Sequence, residues 1–360
     1  MHYMRTIAKS SIDPSGTAMN IPQLTRTALA GLSIALISVP SFAESLKVGY
    51  LPVTGHAKFF VAQEQGFFEQ EDLDVELIEF INSADGLHAV VSNKLDVGAF
   101  GTAAPLVHYS RGADLRIIGG IMGEDAAIIA TPENAAKIKT IADLRDKKIA
   151  TIRLSTGDAV LRGALDEARL NWKEDVKVYE LKSAPAVIEA VKSGQVDAGV
   201  VWGPHDIRAE RQGLQVVIRS SDLAPGHPCC RLVVKSERLN HDEVTWNRFL
   251  RAILRAEKFA AEHRQETLDA IAKYVKLDRD ILEQGYYSPH LEQGTDPNIK
   301  GVKQFWDTLA AAEFIDAKRP LEPAFDTGPY HRALQQLAQE NPEDAFYQQK
   351  LQTERERNTL

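Results

Sequence analysis

The chain has 360 residues, of which 44% are hydrophobic, 26% charged and 7% aromatic. That make-up excludes a small disulfide-stapled scaffold, a collagen-like fibre and a wholly disordered chain, and it leaves apolar material for more than one core. The formal charge is -8 at pH 7, so the Lys/Arg surplus of a general nucleic-acid binder or a cationic membrane-surface protein is missing.

Residues Ala28 to Val39 (ALAGLSIALISV) form a continuous apolar run, too short for the roughly 20 residues that span a bilayer. Arg26 precedes the run, and Pro40-Ser41-Phe42-Ala43 ends it with small residues at the two positions a signal peptidase reads. A signal peptide is therefore predicted over residues 1–43, cleaved before Glu44. The stretch ahead of Met19 carries Pro, Gly and Asp, which points to Met19 as the initiator. The two cysteines lie far downstream, so no lipid attachment site exists at the cleavage point. A soluble product, free in a periplasm, is expected.

Strand-like and helix-like runs then alternate. Leu46–Leu51 and Asp74–Phe80 read as strands, with Ala57–Gln65 between them at helical spacing and stopped by Gly66. This is a βαβ unit and predicts a parallel sheet. A helix over about 84–92 leads to a strand at Asp96–Phe100, and Gly101-Thr102-Ala103-Ala104-Pro105 opens a third helix. The plan returns with a strand at Lys148–Ile152, a helix at Ala159–Ala168 and a strand at Val176–Leu181. Residues 83–99 and 183–199 match in their Ser, Val and Asp positions apart from one insertion, so two α/β lobes of similar plan are predicted. After a strand at Arg231–Lys235 come helices at Asp242–Glu262, Gln265–Tyr274, Asp278–Gly285 and Ile299–Ala312. Gly328-Pro329 starts a last helix to about Gln339, and residues 346–360 are polar enough to read as a solvated tail.

In parallel α/β sheets, ligands gather beyond the carboxyl ends of strands, where helix N-termini point free N–H groups into the crevice. Each strand end here supplies a turn of that kind: Thr54-Gly55-His56, Asn82-Ser83, Gly101-Thr102-Ala103, Ser155-Thr156-Gly157 and Trp202-Gly203-Pro204. Small hydroxyl residues at helix starts also serve as ordinary N-caps. Their expected convergence on one cleft is what favours binding.

These features resemble the periplasmic substrate-binding proteins of ABC importers for nitrate, sulfonate, taurine and thiamine-precursor pyrimidines. The resemblance covers about Leu46 to Ala312. It is carried by Val48-Gly49-Tyr50-Leu51-Pro52, Ala62–Phe68, Leu95–Ala99 followed by Gly101 and Pro105, Ile141–Ile149, and Gly194–Ala198 before Trp202. It implies an α/β, two-lobed periplasmic-binding-protein fold of type II with two crossovers, near Gly123-Glu124-Asp125 and Gly226–Arg231. Lobe 1 would hold residues 44–124 and 231–345, and lobe 2 residues 125–230. It implies a non-enzymatic, monomeric solute-binding protein that closes around a small polar organic ligand and docks on an ABC permease with its ATPase.

The predicted lining is Thr54, Gly55, His56, Asn82, Ser83, Gly101, Thr102, Ala103, Glu124, Ser155, Thr156, Gly157 and Trp202, with His227, Cys229 and Cys230 at the back. Helix N-termini suit a sulfonate, whereas carboxylates at Glu124, Asp125 and Asp158 suit an amine or an aminopyrimidine. Taurine carries both ends.

The departure from the pattern is Gly226-His227-Pro228-Cys229-Cys230-Arg231. Neighbouring Cα atoms stand about 3.8 Å apart, below the usual disulfide range of about 4.4–6.8 Å. One His-x-Cys-Cys lacks the spaced, paired ligands of a zinc site, and no metal or cofactor is assigned. Pyrimidine-synthesis relatives carry a Cys-rich segment and act as enzymes. The alternatives are therefore a secreted enzyme using Cys229 or Cys230 with His227 or His56 as base, or a soft-metal or sensor protein.

Overall fold

A computed structural model of the chain describes residues 43–358; the leader expected over 1–43 lies outside them except for Ala43. Four strands come first: β1 (Glu44–Tyr50), β2 (Leu73–Glu79), β3 (Val97–Gly101) and β4 (Leu115–Glu124). The chain then builds β5 (Ala126–Ala130), β6 (Lys148–Ile152), β7 (Lys177–Leu181), β8 (Ala198–Trp202) and β9 (Gln215–Arg219) before β10 (Pro228–Lys235) and β11 (Leu291–Gln293). They form two sheets, of order β11-β4-β10-β3-β1-β2 and β7-β6-β8-β5-β9.

The sheets repeat one plan. In each, a central strand pairs parallel with two others, β1 with β2 and β3, and β6 with β7 and β8. In each, the strand that arrives from the other sheet, β10 or β5, inserts antiparallel. The sequence echo has a physical counterpart. Asp96 accepts the Lys47 amide at 2.7 Å and Asp197 accepts the Lys148 amide at 2.8 Å, so each Asp ties the foot of one parallel strand to the next. Asn82 and Ser183 cap equivalent helices, Ser83–Val91 and Ala184–Lys192, by accepting amides three residues on. β3 is buried at all five residues because helices cover both faces of it.

The chain leaves the first sheet at Glu124 and Asp125, both with left-handed backbone at φ 57° and 77°, a conformation non-glycine residues seldom hold. It returns beside that point. The Gly226 amide donates to Glu124 Oε1 at 2.7 Å, and the Glu124 amide to the His227 carbonyl at 3.0 Å. The strand β10 starts at Pro228, with Pro228 paired to Gly123 and Cys230 to Met122 in the first sheet.

Two further findings differ from the sequence reading. The strands β4, β5, β9 and β11 lie where the sequence assigns none. Residues expected as a tail form a helix, Ala345–Arg357. Its apolar face is only Phe346, Tyr347 and Leu351, so helical periodicity is faint, and ion pairs do much of the docking: Lys350 with Glu257 and Arg357 with Glu292. Tyr347→Ala is expected to cost about 3 kcal/mol in a urea titration, as for other buried aromatics; a solvated tail would lose nothing. No helix of the described residues is long and apolar enough to cross a membrane.

Candidate binding cleft

The carboxyl ends of β1, β2, β3, β6 and β8 border the gap between the sheets, and the helices that follow β2 and β6 point their starts into it. From the first sheet comes the Ser83–Val91 helix, whose Ser83 Oγ accepts the Gly101 amide at 3.0 Å. From the second comes the Thr156–Glu167 helix. Its Ser155 cap takes the Asp158 amide at 3.1 Å, which leaves the Thr156 and Gly157 amides without a partner inside the helix.

Thr156 is also the bridge between the halves. Its hydroxyl accepts the Thr102 amide at 2.9 Å and donates to the Cys229 carbonyl at 2.6 Å. The same carbonyl accepts the Thr102 hydroxyl at 2.9 Å and the Thr102 amide at 2.7 Å. Gly101 permits this approach, since a Cβ there would meet Ser83 Oγ, the Thr156 amide nitrogen and Thr156 Oγ1, each at 3.1 Å.

Around this node lies a small cavity of about 20 Å³. Of the residues expected to line it, Ser83, Gly101, Ser155, Thr156, Gly157, Trp202, Cys229 and Cys230 do so. Leu51, Val53, Met122 and Ala126 line it as well; sequence reasoning missed them, because an apolar wall residue on a strand or its exit looks the same as a core residue.

The other expected residues stand elsewhere. Thr54, Gly55 and His56 form a buried 3₁₀ turn, in which His56 Nδ1 accepts the Leu51 amide at 3.1 Å. Burial, aided by Lys58, pushes His56 down to about 3, so it is a neutral structural ring. Asn82 is spent as an N-cap. Thr102 is held in the interlobe node and Ala103 is packed in the core. Glu124 is occupied by the Gly226 amide. His227 is stacked on Phe305 with ring centroids 6.5 Å apart, and burial pushes it down to about 4.

The three carboxylates considered for an amine also separate. Asp158 turns inward to Thr151 Oγ1 at 2.9 Å and Arg162 Nε at 3.1 Å. Asp125 and Asp158 both keep a buried oxygen, Oδ2, without a partner, but Asp158 is ion-paired with Arg162, whereas among the described residues no ion pair reaches Asp125. Burial, and then the nearby Asp206 and Cys229, push it well above the usual carboxylate range. The indole N–H of Trp202, on the cavity wall, is likewise buried and unpartnered.

The two thiols face each other with Sγ atoms 3.9 Å apart. The Cys230 contact draws the Cys229 thiol down, and the same contact together with burial drives Cys230 up. No hydrogen bond joins either thiol to a histidine ring. Among the described residues, no group of three or more His, Cys, Asp and Glu side chains is placed to hold a metal ion.

Comparison with known proteins agrees with this architecture. The model of the NMT1-like family matches residues 41–276. A protein of Brucella abortus named as a binding protein is 29% identical over 266 residues, covering 72% of this chain and 81% of its own length. An Escherichia coli protein named for binding aliphatic sulfonates is 28% identical over 207 residues, 57% of this chain and 64% of that protein. The periplasmic nitrate-binding protein of Synechocystis superposes with a TM-score of 0.73 at 15% identity, covering 85% of this chain and 91% of its own. The fold is thus the two-lobed periplasmic-binding-protein fold.

Proposed function

This chain belongs to the NMT1-like family, and on that footing we propose that it is a solute-binding protein of an ABC import system, working as a periplasmic monomer without catalytic turnover. The observation that carries the reading is that helix starts from two different sheets, at Ser83 and Thr156, converge on one cavity. A solute there touches both halves only when they are together, so its binding favours the closed arrangement that a permease and its ATPase recognise. In this reading the lobes are residues 44–124 with 228–358, and residues 125–227, turning about Glu124–Asp125 and Gly226–Pro228. The lack of a Cys–His hydrogen bond supports binding over thiol catalysis.

The solute has two unlike ends. The free amides of Thr156 and Gly157 suit oxyanion oxygens, Leu51, Val53 and Ala126 pack against a short stem, and Asp125, which precedes Ala126 and does not itself line the cavity, suits an amine once the lobes open. No Lys or Arg lines the cavity, which disfavours a bare inorganic anion. Taurine fits that description best, an aminopyrimidine supplies only the N–H side, and a simple alkyl sulfonate only the oxygens. With about 20 Å³ available, roughly the space of one water, the lobes must open for taurine to load.

A thermal-shift screen of the mature protein against taurine, ethanesulfonate, nitrate and an aminopyrimidine tests this. Taurine at a hundredfold excess over its Kd should add about 2.7 kcal/mol to stability, ethanesulfonate less, and nitrate nothing. Absence of a shift with all four would overturn the ligand assignment.

A further inference from the structure

Cys229 and Cys230 are adjacent on a strand, where neighbouring side chains normally point to opposite faces. Here both line the same cavity. The reason is a bulge: the β10–β4 register breaks between Pro228 and Cys230 and again between Cys230 and Arg231, and a bulge re-aims a side chain in this way. The residue paired with Cys230 across the ladder is Met122, and it lines that cavity too. Its sulfur is fixed by the turn above it, since a Cβ on Gly55 would lie 2.3 Å from Met122 Sδ. The two cysteines and the Met122 side chain therefore border one small space.

We propose that Cys229, Cys230 and Met122 form a binding site for a soft monovalent cation of the cuprous class. With metal–sulfur bonds of about 2.3 Å, the 3.9 Å between the two Sγ atoms subtends an S–metal–S angle of about 116°. That angle calls for a third donor and not for a linear pair, and Met122 supplies one of matching softness. The cavity admits one body of about the size of a water. Leu51, Val53 and Ala126 wall it on one side and the hydroxyl residues Ser83, Ser155 and Thr156 on the other, and none of these brings a carboxylate to hold a hard cation. No carboxylate or imidazole completes a set that zinc would prefer. On binding, each thiol loses its proton to solvent and two Cu–S bonds form without a change of oxidation state. Arg231, the next residue and buried, is held by the Asp296, Pro297 and Met122 carbonyls, and its charge offsets the net negative charge of a dithiolate–Cu(I) unit. The site shares its cavity with the proposed solute but does not rest on that reading, because it draws on the sulfur wall and not on the helix starts or Asp125.

The test is anaerobic titration of the full mature chain with Cu(I) against a chromogenic Cu(I) chelator, with Zn(II) as a parallel probe. One equivalent of Cu(I) should be withdrawn from the chelator, with sulfur-to-copper charge-transfer absorption. Cys229→Ser and Cys230→Ser should each weaken binding by at least the roughly 100-fold at the top of the range for outer partners of a metal site. Met122→Leu, which conserves volume, should weaken Cu(I) binding while leaving the melting temperature of the metal-free protein in place. Unchanged Cu(I) binding in the double Cys→Ser variant would overturn the proposal, as would Zn(II) binding tighter than Cu(I) or no withdrawal from the chelator. The taurine shift, measured on the metal-free wild-type chain with the Cu(I) chelator present, reports on the solute reading separately.

Discussion

Replacing Glu257 with leucine is expected to lower stability by about 3–5 kcal/mol, the usual result of breaking a buried ion pair from one side. Glu257 sits on the Glu243–Glu262 helix, buried. It accepts the Thr295 amide at 2.8 Å and the Thr295 hydroxyl at 2.6 Å, and it pairs with Lys350 from the last helix. Lys58, itself wholly buried, lies in the same field and otherwise has only neutral acceptors, the Ile121 carbonyl and Gln293 Oε1. Burial alone would raise the Glu257 carboxyl, but Lys350, Lys58 and Thr295 together hold it down to about 2. The direction of the pH effect follows. A folded-state value below the unfolded one gives stability that is full above the ordinary carboxylate range and is lost as pH falls through the folded value. The drop from 4.5 to about 2 corresponds to roughly 3 kcal/mol. Urea unfolding of both proteins at pH 7 and pH 3 should therefore show a smaller difference at pH 3. An equal difference at both would mean that Glu257 acts through packing alone. The effect reaches function through β4, because Lys58 and Arg231 hold the carbonyls of Ile121 and Met122 that back the cleft.

The cleft was legible where its chemistry is also local grammar. A strand followed by a small hydroxyl residue and a helix gives a capped start at a strand end, and Ser83, Ser155 and Thr156 are found that way. Trp202 and the Cys pair stand out by residue type. What stayed hidden depends on pairing between distant segments. β4 reads as an apolar stretch broken by Arg116 and three glycines, Gly119, Gly120 and Gly123, and only its partners β10 and β11 make it a strand. The bulge that turns Cys229 and Cys230 to one side is a property of register, which no spacing within Pro228–Lys235 encodes. The turn at Thr54–His56 has the residue types of a ligand loop, yet the Leu51 amide donates to His56 Nδ1 and the Met122 sulfur packs on Gly55, while Thr54 Oγ1 and His56 Nε2 stay buried without a partner. Asp125 and Asp158 both keep one buried oxygen without a donor, and they differ in that Asp158 pairs with Arg162.

Gly101→Val should abolish tight ligand binding while leaving both sheets folded, and it tests closure itself. Gly101 ends β3 at the point where the halves touch, and an added Cβ would lie 3.1 Å from three atoms, two of them on Thr156 across the gap. A valine adds two more carbons that this space cannot take, so the Thr156 helix start must retreat. Retreat breaks the bridge from the Thr156 hydroxyl to the Thr102 amide and the Cys229 carbonyl. Overpacking of about 1–3 kcal/mol and two lost hydrogen bonds of about 1 kcal/mol each fall on the closed arrangement, while the open one, with Thr156 withdrawn, escapes them. Apparent affinity falls with the closed fraction, by roughly 100-fold or more for about 3 kcal/mol. Calorimetric titration with taurine measures the loss, and small-angle scattering should show the variant failing to contract when taurine is added. Full affinity in Gly101→Val, with the contraction intact, would mean that the solute does not need the Gly101–Thr156 approach, and the lobe-closure mechanism would have to be given up.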